Sequence, residues 1–389
     1  MNIENVGWVQ VVIGIIARFW PVWLAMALVM GSSWFYRKKL GLYGQLYSTT
    51  AGMIGLGICL FWLFTALFAS MVATFDPLTQ VAVLKNALPG SVVPEGSGGA
   101  GGVYFLGGDN LARDVFSRMV FGSQIVLVIA PAATAFALMV GATLGLPAGY
   151  YGGRTDSILS FLANLVLAFP VILLFYLLVT PAVVEMGLPR MMAGVFFLFP
   201  IIFFLTLFWT RYKNRLDRLY WLLGLTVLIG AWVYFGLVFD LDPLGIMSMT
   251  PNQLNIFAAV VFASSPGVFR IVRGLVMDIK SRDYVSAAQT RGESPWYIML
   301  WEILPNARGP LIVDTCLRIG YTTILLGTLG YFGLGLAPES PDWGTSIKDA
   351  SRLLRTAAHP ALPPAFALMS FVLGLNLLAD ALREQSLKD

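Results

Sequence analysis

The residues best suited to a specific task form one polar stretch between two apolar runs, Asp283-Tyr-Val-Ser-Ala-Ala-Gln-Thr-Arg-Gly292-Glu-Ser-Pro295-Trp-Tyr-Ile-Met-Leu-Trp-Glu-Ile-Leu-Pro305-Asn306. It pairs no nucleophile with a base and gathers no metal ligands, so bond-making is not its chemistry. Its pattern predicts helix, turn, helix. Asp283 and Tyr284 open a helix with small residues at Ala287 and Ala288, Gly292 ends it, Pro295 suits the first turn of the next, and Leu304 and Pro305 stop that one. Two short helices joined at a glycine make a knob, and surface alanines let another protein's groove approach closely. The knob is therefore read as a docking element. The plainer reading is a helical hairpin that fixes two neighbouring segments.

Other chemistry-bearing residues are few. Asp109, Arg113, Asp114 and Arg118 are spaced for an amphipathic helix with internal ion pairs, a rim on which a soluble protein could rest, or else a solvated helix without a partner. Asp314 and Arg318, four apart, are expected to pair along one helix. His359 is the single histidine, and Cys59 and Cys316 both sit in apolar runs, so no metal centre and no disulfide framework is expected. The glycine-rich run Glu95 through Gly102 lacks the Gly-Lys-Ser/Thr of a phosphate-binding loop, which occurs nowhere in the chain; it reads as a flexible loop. Any ATP hydrolysis coupled to this chain must come from another.

The elements that position these residues are set by composition. Of 389 residues 58% are hydrophobic and 12% charged, with mean hydropathy +0.77, against about 25% charged in soluble domains. Nine runs approach the roughly 20 residues that a bilayer crossing needs: Trp8 to Trp34, Thr50 to Ala73, Gln124 to Ala148, Ile158 to Thr180, Met192 to Trp209, Leu219 to Val238, Leu254 to Val272, Leu311 to Leu336 and Pro364 to Leu382. The first is read as one span and not as a cleaved leader, although Arg18 and Pro21 also admit an interfacial helix followed by a shorter span. Lysine and arginine in alternate loops divide sixteen to seven, the larger set including Arg37, Lys38, Lys39, the cluster from Arg211 to Arg218, and Lys388. Positive loops stay inside, so the carboxyl terminus and the 278–308 loop are placed in the cytoplasm, and the long 75–121 stretch outside.

Ser286-Ala287-Ala288, Gly292 and Ile303-Leu304-Pro305 match in spacing the EAA loop of binding-protein-dependent ABC importer permeases, with Ser286 where that family carries glutamate. Four further motifs resemble its dipeptide, oligopeptide and nickel branch: Gly107-Gly-Asp109-Asn-Leu-Ala-Arg-Asp114-Val-Phe-Ser-Arg118, Ala148-Gly-Tyr-Tyr-Gly-Gly-Arg-Thr-Asp156, Leu167-Ala-Phe-Pro170 and Pro341-Asp-Trp-Gly344. The first departs slightly, since Gly108 and Ala112 stand where the family usually has threonine and a second glycine. The resemblance covers roughly Arg37 to Pro181 and Pro251 to the end.

The resemblance implies an all-α polytopic membrane protein with a six-helix type I permease core and about three additional transmembrane helices. Residues 1–40 would be an extra amino-terminal segment, 41–181 and 251–389 the two parts of the core, and 182–250 an inserted hairpin. It further implies a non-catalytic subunit of a bacterial or archaeal inner membrane, translocating peptides or similar solutes by alternating access. Its partners would be a second permease, with heterodimer the expected form, two ATP-binding subunits that carry ATP and magnesium, and an external substrate-binding protein resting near Asp109, Arg113, Asp114 and Arg118. No cofactor in this chain and no nucleic acid is expected. The competing class is an ion-coupled secondary transporter, which needs intramembrane ionisable residues that most of these runs lack.

Overall fold

The computed structural model describes residues 4–97, 99–245, 249–334, 337 and 339–386. Gly98 of the glycine-rich run, the Leu336 end of the eighth expected span and Lys388 lie outside them. Among the described residues seven helices are long and apolar enough to cross a membrane, and two bent pairs bring the total to as many as nine. Two of the nine expected spans are thus bent: the first, read as one span, breaks where Arg18 and Pro21 also admit two helices, and the fourth breaks where a continuous crossing was expected. The chain divides into two compact units, 1–131 with 319–389, and 132–318.

In the first unit, Trp8–Arg18 and Trp20–Phe35 meet at 51°. Phe19 leaves the helical conformation between them, and Pro21 sits in the first turn of the second helix, where its missing N–H is harmless. Phe19 buries itself with Val22, Ala69, Val72, Phe116 and Val120, so the bend is anchored by packing. Thr50–Leu67 is capped by Thr49, whose hydroxyl accepts from the Gly52 N–H at 3.1 Å, and it lies along Leu362–Ser386. Trp343 is the largest fully buried side chain; it packs with Trp62, Phe371 and Leu375 and donates its indole N–H to the Met119 carbonyl at 2.9 Å.

The stretch after residue 75 corrects an expectation. It is a small folded piece in which Ser91–Val92 pairs antiparallel with Val103–Tyr104 over a core of Val81, Leu84, Ala87, Val93 and Tyr104. Gly96, Gly99 and Gly101 all have positive φ, so the glycines that read as flexibility are turn residues between two strands.

In the second unit the remainder of the 37-residue helix Val115–Tyr151 runs beside Pro251–Ile279. At 1.5 Å per residue the first is about 55 Å long, well beyond a hydrocarbon core of about 30 Å. Gly141, Gly145 and Gly149 recur every fourth residue and face Val268, Val272 and Val276: a Cβ added at them would lie 2.5, 2.9 and 2.7 Å from the respective valine Cβ. Backbones can approach this closely only over small residues, and that contact replaces the hydrophobic drive that lipid does not supply. Gly152 and Gly153, both at positive φ, turn the chain into Gly153–Leu167. That helix then breaks by 76° before Val171–Val179, at Ala168-Phe-Pro170. The residue before proline resists the helical conformation. Leu188–Tyr212 and Leu216–Phe239 form a hairpin joined at Lys213 to Arg215.

Replacing Gly145 with valine should lower stability by about 1–3 kcal/mol, because the new side chain meets both the Val272 Cβ and the Phe269 carbonyl. Gly57→Val, at a position with open space around it, serves as the comparison. Thermal unfolding in one detergent should show a lower midpoint for the first only.

Candidate functional site

The polar loop folds as a helical hairpin. Asp283–Thr290 begins with an acidic residue, which suits the positive end of a helix dipole. It ends where the Gly292 N–H donates to the Gln289 carbonyl at 2.9 Å and the Glu293 N–H to the Ala288 carbonyl at 3.2 Å. Gly292 has φ +77 with nothing near its missing Cβ, so the glycine serves the turn and leaves open space beside it. Pro295 opens the second helix behind Ser294, as the spacing predicts. The expected stop does not occur at Leu304 and Pro305. Instead the helix widens to a π register over Ile298–Ile303 and continues to Asn306. A proline crowds the carbonyl four residues back, and the widened turn just before Pro305 accommodates it.

The predicted loop residues do not all face one way. Val285, Ala288, Ile298, Met299, Leu300 and Ile303 are buried together against Leu146, Val272, Val276 and Ile279. Ala288, expected on the surface, is therefore part of the core: in an eight-residue helix with one face on a platform, positions three apart at 285 and 288 turn inward. Ser286, Ala287, Gly292 and Pro305 remain exposed, and Leu304 is half-buried. Arg291 closes the hairpin by pairing with Glu302 at 2.9 Å. Lys280 donates to the Gly149 carbonyl at 2.9 Å, and Gln289 to the Tyr150 hydroxyl at 3.2 Å. The knob is thus fixed to the end of the glycine-lined helix pair.

A second support went unread in the sequence. Trp301 donates its indole N–H to Thr210 at 3.1 Å, the Arg211 guanidinium donates to the Tyr297 hydroxyl at 3.0 Å, and Arg211 stacks over the Trp301 ring at 4.8 Å. The hairpin of Leu188–Tyr212 and Leu216–Phe239 therefore holds the second helix of the knob. Tyr297 and Trp301, four apart, do share one helix face, but nothing in their spacing names a partner 86 or 91 residues earlier.

The Asp109, Arg113, Asp114, Arg118 group is not the exposed helix that was expected. These side chains are 5, 1, 0 and 2% exposed, and the helix begins only at Val115. Asp109 accepts from the Leu111 and Arg113 backbone N–H groups, each at 2.8 Å, which forms a turn in place of a helix. Arg113 bridges Asp109 at 2.6 Å and Asp349 at 2.8 Å. Arg118 reaches the Ser340 carbonyl at 2.9 Å and the Ser346 hydroxyl at 3.3 Å. The charges are turned inward, so this cluster braces the fold and offers no charged rim. Asp114 caps the long helix, accepting from the Ser117 N–H at 3.0 Å and hydroxyl at 2.6 Å and from the Thr74 hydroxyl at 2.9 Å. Burial pushes its carboxyl up to about 6 despite those hydrogen bonds.

The remaining motif residues also have structural work. Asp156 forms a two-pronged pair with Arg273, one prong at 2.6 Å. Asp342 caps Trp343–Ser351 through the Thr345 N–H at 2.9 Å, and Asp314 pairs with Arg318 at 2.6 Å as its spacing predicts. Among the described residues no group of three histidine, cysteine, aspartate or glutamate side chains could hold a metal.

The sequence profile of the binding-protein-dependent transport system inner membrane component family matches residues 141–386, which include the glycine stripe and the knob. The chain belongs to that family. It is an all-α polytopic ABC permease of the peptide-transport type. Similar proteins include the dipeptide transport system permease protein DppC of Haemophilus influenzae, 26% identical over 364 residues, or 94% of this chain and 96% of that one. The glutathione transport system permease protein GsiD of Pectobacterium atrosepticum is 28% identical over 74% of this chain and 73% of its own. The di/tripeptide transport system permease protein DppC of Pseudomonas aeruginosa is 26% identical over 90% and 92%.

Two outcomes follow for this permease. Ala112 is a buried non-glycine residue with φ +62, at the position where the family pattern has glycine. Since left-handed backbone costs a side-chain-bearing residue about 1–2 kcal/mol, Ala112→Gly should raise the thermal midpoint. For Asp114, a folded pKa of about 6 lies above the ordinary value of about 3.9. The folded state then binds the proton more tightly, and the stabilisation is complete below about pH 4 and fades as pH rises through 6. The melting temperature of the wild type relative to Asp114→Asn should accordingly rise between pH 7.5 and 4.5; a constant difference would remove the assignment.

Proposed function

We propose that this chain is one permease subunit of an ATP-driven importer in a bacterial or archaeal inner membrane, moving peptides or similar small solutes. A second permease, with a heterodimer favoured, two ATP-binding subunits that carry ATP and magnesium, and an external substrate-binding protein complete the machine. The names of the relatives, permeases of dipeptide, di/tripeptide and glutathione transport systems, support the solute class. The positive-inside distribution supports a cytoplasmic carboxyl terminus and a cytoplasmic Asp283–Asn306 knob. Residues 1–40 and 182–250 are read as additions to a six-helix core.

The observation that carries the coupling role is the two-sidedness of the knob. Its inner face is dry and tied to the ends of two long helices, while Ser286, Ala287 and the Gly292 turn stand free. A groove of an ATP-binding subunit that grips the free face would move the helices with it. Closure of the ATP-bound motor then becomes a rearrangement of the spans, and alternating access follows. Serine in place of the family's glutamate at position 286 leaves this contact to shape and hydrogen bonding without a carboxylate.

Ala287→Trp tests the assignment, since it adds bulk on the exposed face and leaves the buried face untouched. Tagged protein purified from its host in mild detergent should carry an ATP-binding chain identifiable by mass spectrometry, and the variant should lose it while keeping its melting temperature. Retention at wild-type stoichiometry would remove the knob from the interface. A wild-type chain that purifies alone and drives uptake on an ion gradient in proteoliposomes would replace the importer with the secondary transporter.

A further inference from the structure

We propose that the inserted hairpin and the knob together form a binding site for one anionic phospholipid, its acyl chain along the hairpin and its phosphate headgroup beside the knob. Two cavities lie in sequence along the hairpin. The first, of about 370 Å³, is almost wholly apolar and lies between the two hairpin helices and the long helix; Phe136, Ile201, Phe204, Phe208, Leu225 and Ile229 are among its walls. The second, of about 500 Å³, is polar and lies at the hairpin tip, where Arg211, Lys213, Arg215 and Arg218 face Ser294 and Tyr297 of the knob.

The cavities follow one another along one helix face: Phe208 lines the first and Tyr212, four residues on, the second, about 6 Å further along the axis. Charge names the occupant of the tip. Four cations line it against one acid, Glu293, and none of the ion pairs among the described residues includes Arg211, Lys213, Arg215 or Arg218. Among the described residues Arg211 alone of the four has other side-chain partners, Tyr297 and Trp301. The level is that of a membrane surface, because the tip ends two apolar helices and is flanked by exposed Trp209, Tyr220 and Trp221, side chains that favour the headgroup layer. A soluble anion would explain the basic cavity alone; an anionic lipid explains both cavities and their succession along one helix face. The headgroup would touch the same Tyr297 that Arg211 holds, so the lipid would brace the hairpin against the knob. Binding at the site does not depend on what the knob engages.

The full chain, purified with the subunits that accompany it and exchanged into mixed micelles of phosphatidylglycerol and phosphatidylcholine, is examined by native mass spectrometry. The wild type should retain phosphatidylglycerol in preference to phosphatidylcholine. Each basic residue near a membrane surface contributes about fivefold in affinity, so the triple variant Lys213→Gln, Arg215→Gln, Arg218→Gln should weaken retention about a hundredfold. Ile229→Trp, which fills the apolar cavity and leaves every charge in place, should weaken it independently. Arg154→Gln, an exposed cation away from the site, should leave it unchanged. Equal retention of the two lipids, or a triple variant that binds like the wild type, overturns the proposal. Full displacement by millimolar inorganic phosphate, with Ile229→Trp behaving as wild type, also overturns it and assigns the tip to a soluble phosphate.

Discussion

The approach of Val115–Tyr151 to Pro251–Ile279 over Gly141, Gly145 and Gly149 is the contact on which the second unit depends. Lipid tails are as apolar as the side chains they would replace, so two helices in a bilayer gain little from hiding leucines. They gain from dense contact between backbones, which only a row of small residues allows. With the pair set, the rest of the unit falls into register. Arg273 meets Asp156, Lys280 meets the Gly149 carbonyl, and Val272, Val276 and Ile279 present the dry platform that receives Val285, Ala288 and Ile303. A larger residue in the row would displace the platform, and the knob with it.

The first unit solves a different problem. Four charged side chains near the start of the long helix are removed from water, which is costly unless each finds partners. Asp109 is shared by two arginines, Arg113 reaches on to Asp349, and Arg118 is bound by backbone carbonyls and a serine. A cluster so constrained has few alternative arrangements. It ties residues 109–118 to residues more than 200 positions later, and it fixes the first turn of the long helix through Asp114.

What could be read in advance divides along physical lines. Nine apolar runs were legible because hydropathy is a property of each segment by itself, and the Asp314 and Arg318 pair because it lies within one helix. The bend at Phe19 shows in the sequence only as Arg18 and Pro21, which admit two helices without fixing them, and the bend at Ala168 to Pro170 only as Pro170, since an apolar run keeps its composition whether straight or broken. Asp109, Arg113, Asp114 and Arg118 mislead because the spacing of four within Asp109/Arg113 and within Asp114/Arg118 imitates ion pairs along a helix. What opposes a helix there is backbone geometry that composition does not display, the Asp109 turn and the positive φ of Ala112. The knob was found at its right place, but the sidedness of Ala287 and Ala288 depended on where the platform lies, a tertiary fact.

The tie between Arg211 and the aromatic pair Tyr297 and Trp301 bears on how motion could pass through this molecule. A knob held only by its dry inner face could rock on that face, and a pull on its free side would be partly lost as tilt. The hairpin supplies a second point of attachment on a separate helix, through one indole hydrogen bond and one cation over a ring. Two separated attachments resist rotation where one does not, so displacement of the knob must move the hairpin as well as the glycine-lined pair. The hairpin is thereby a mechanical part of the loop it touches, and the basic cavity at its tip lies at the joint.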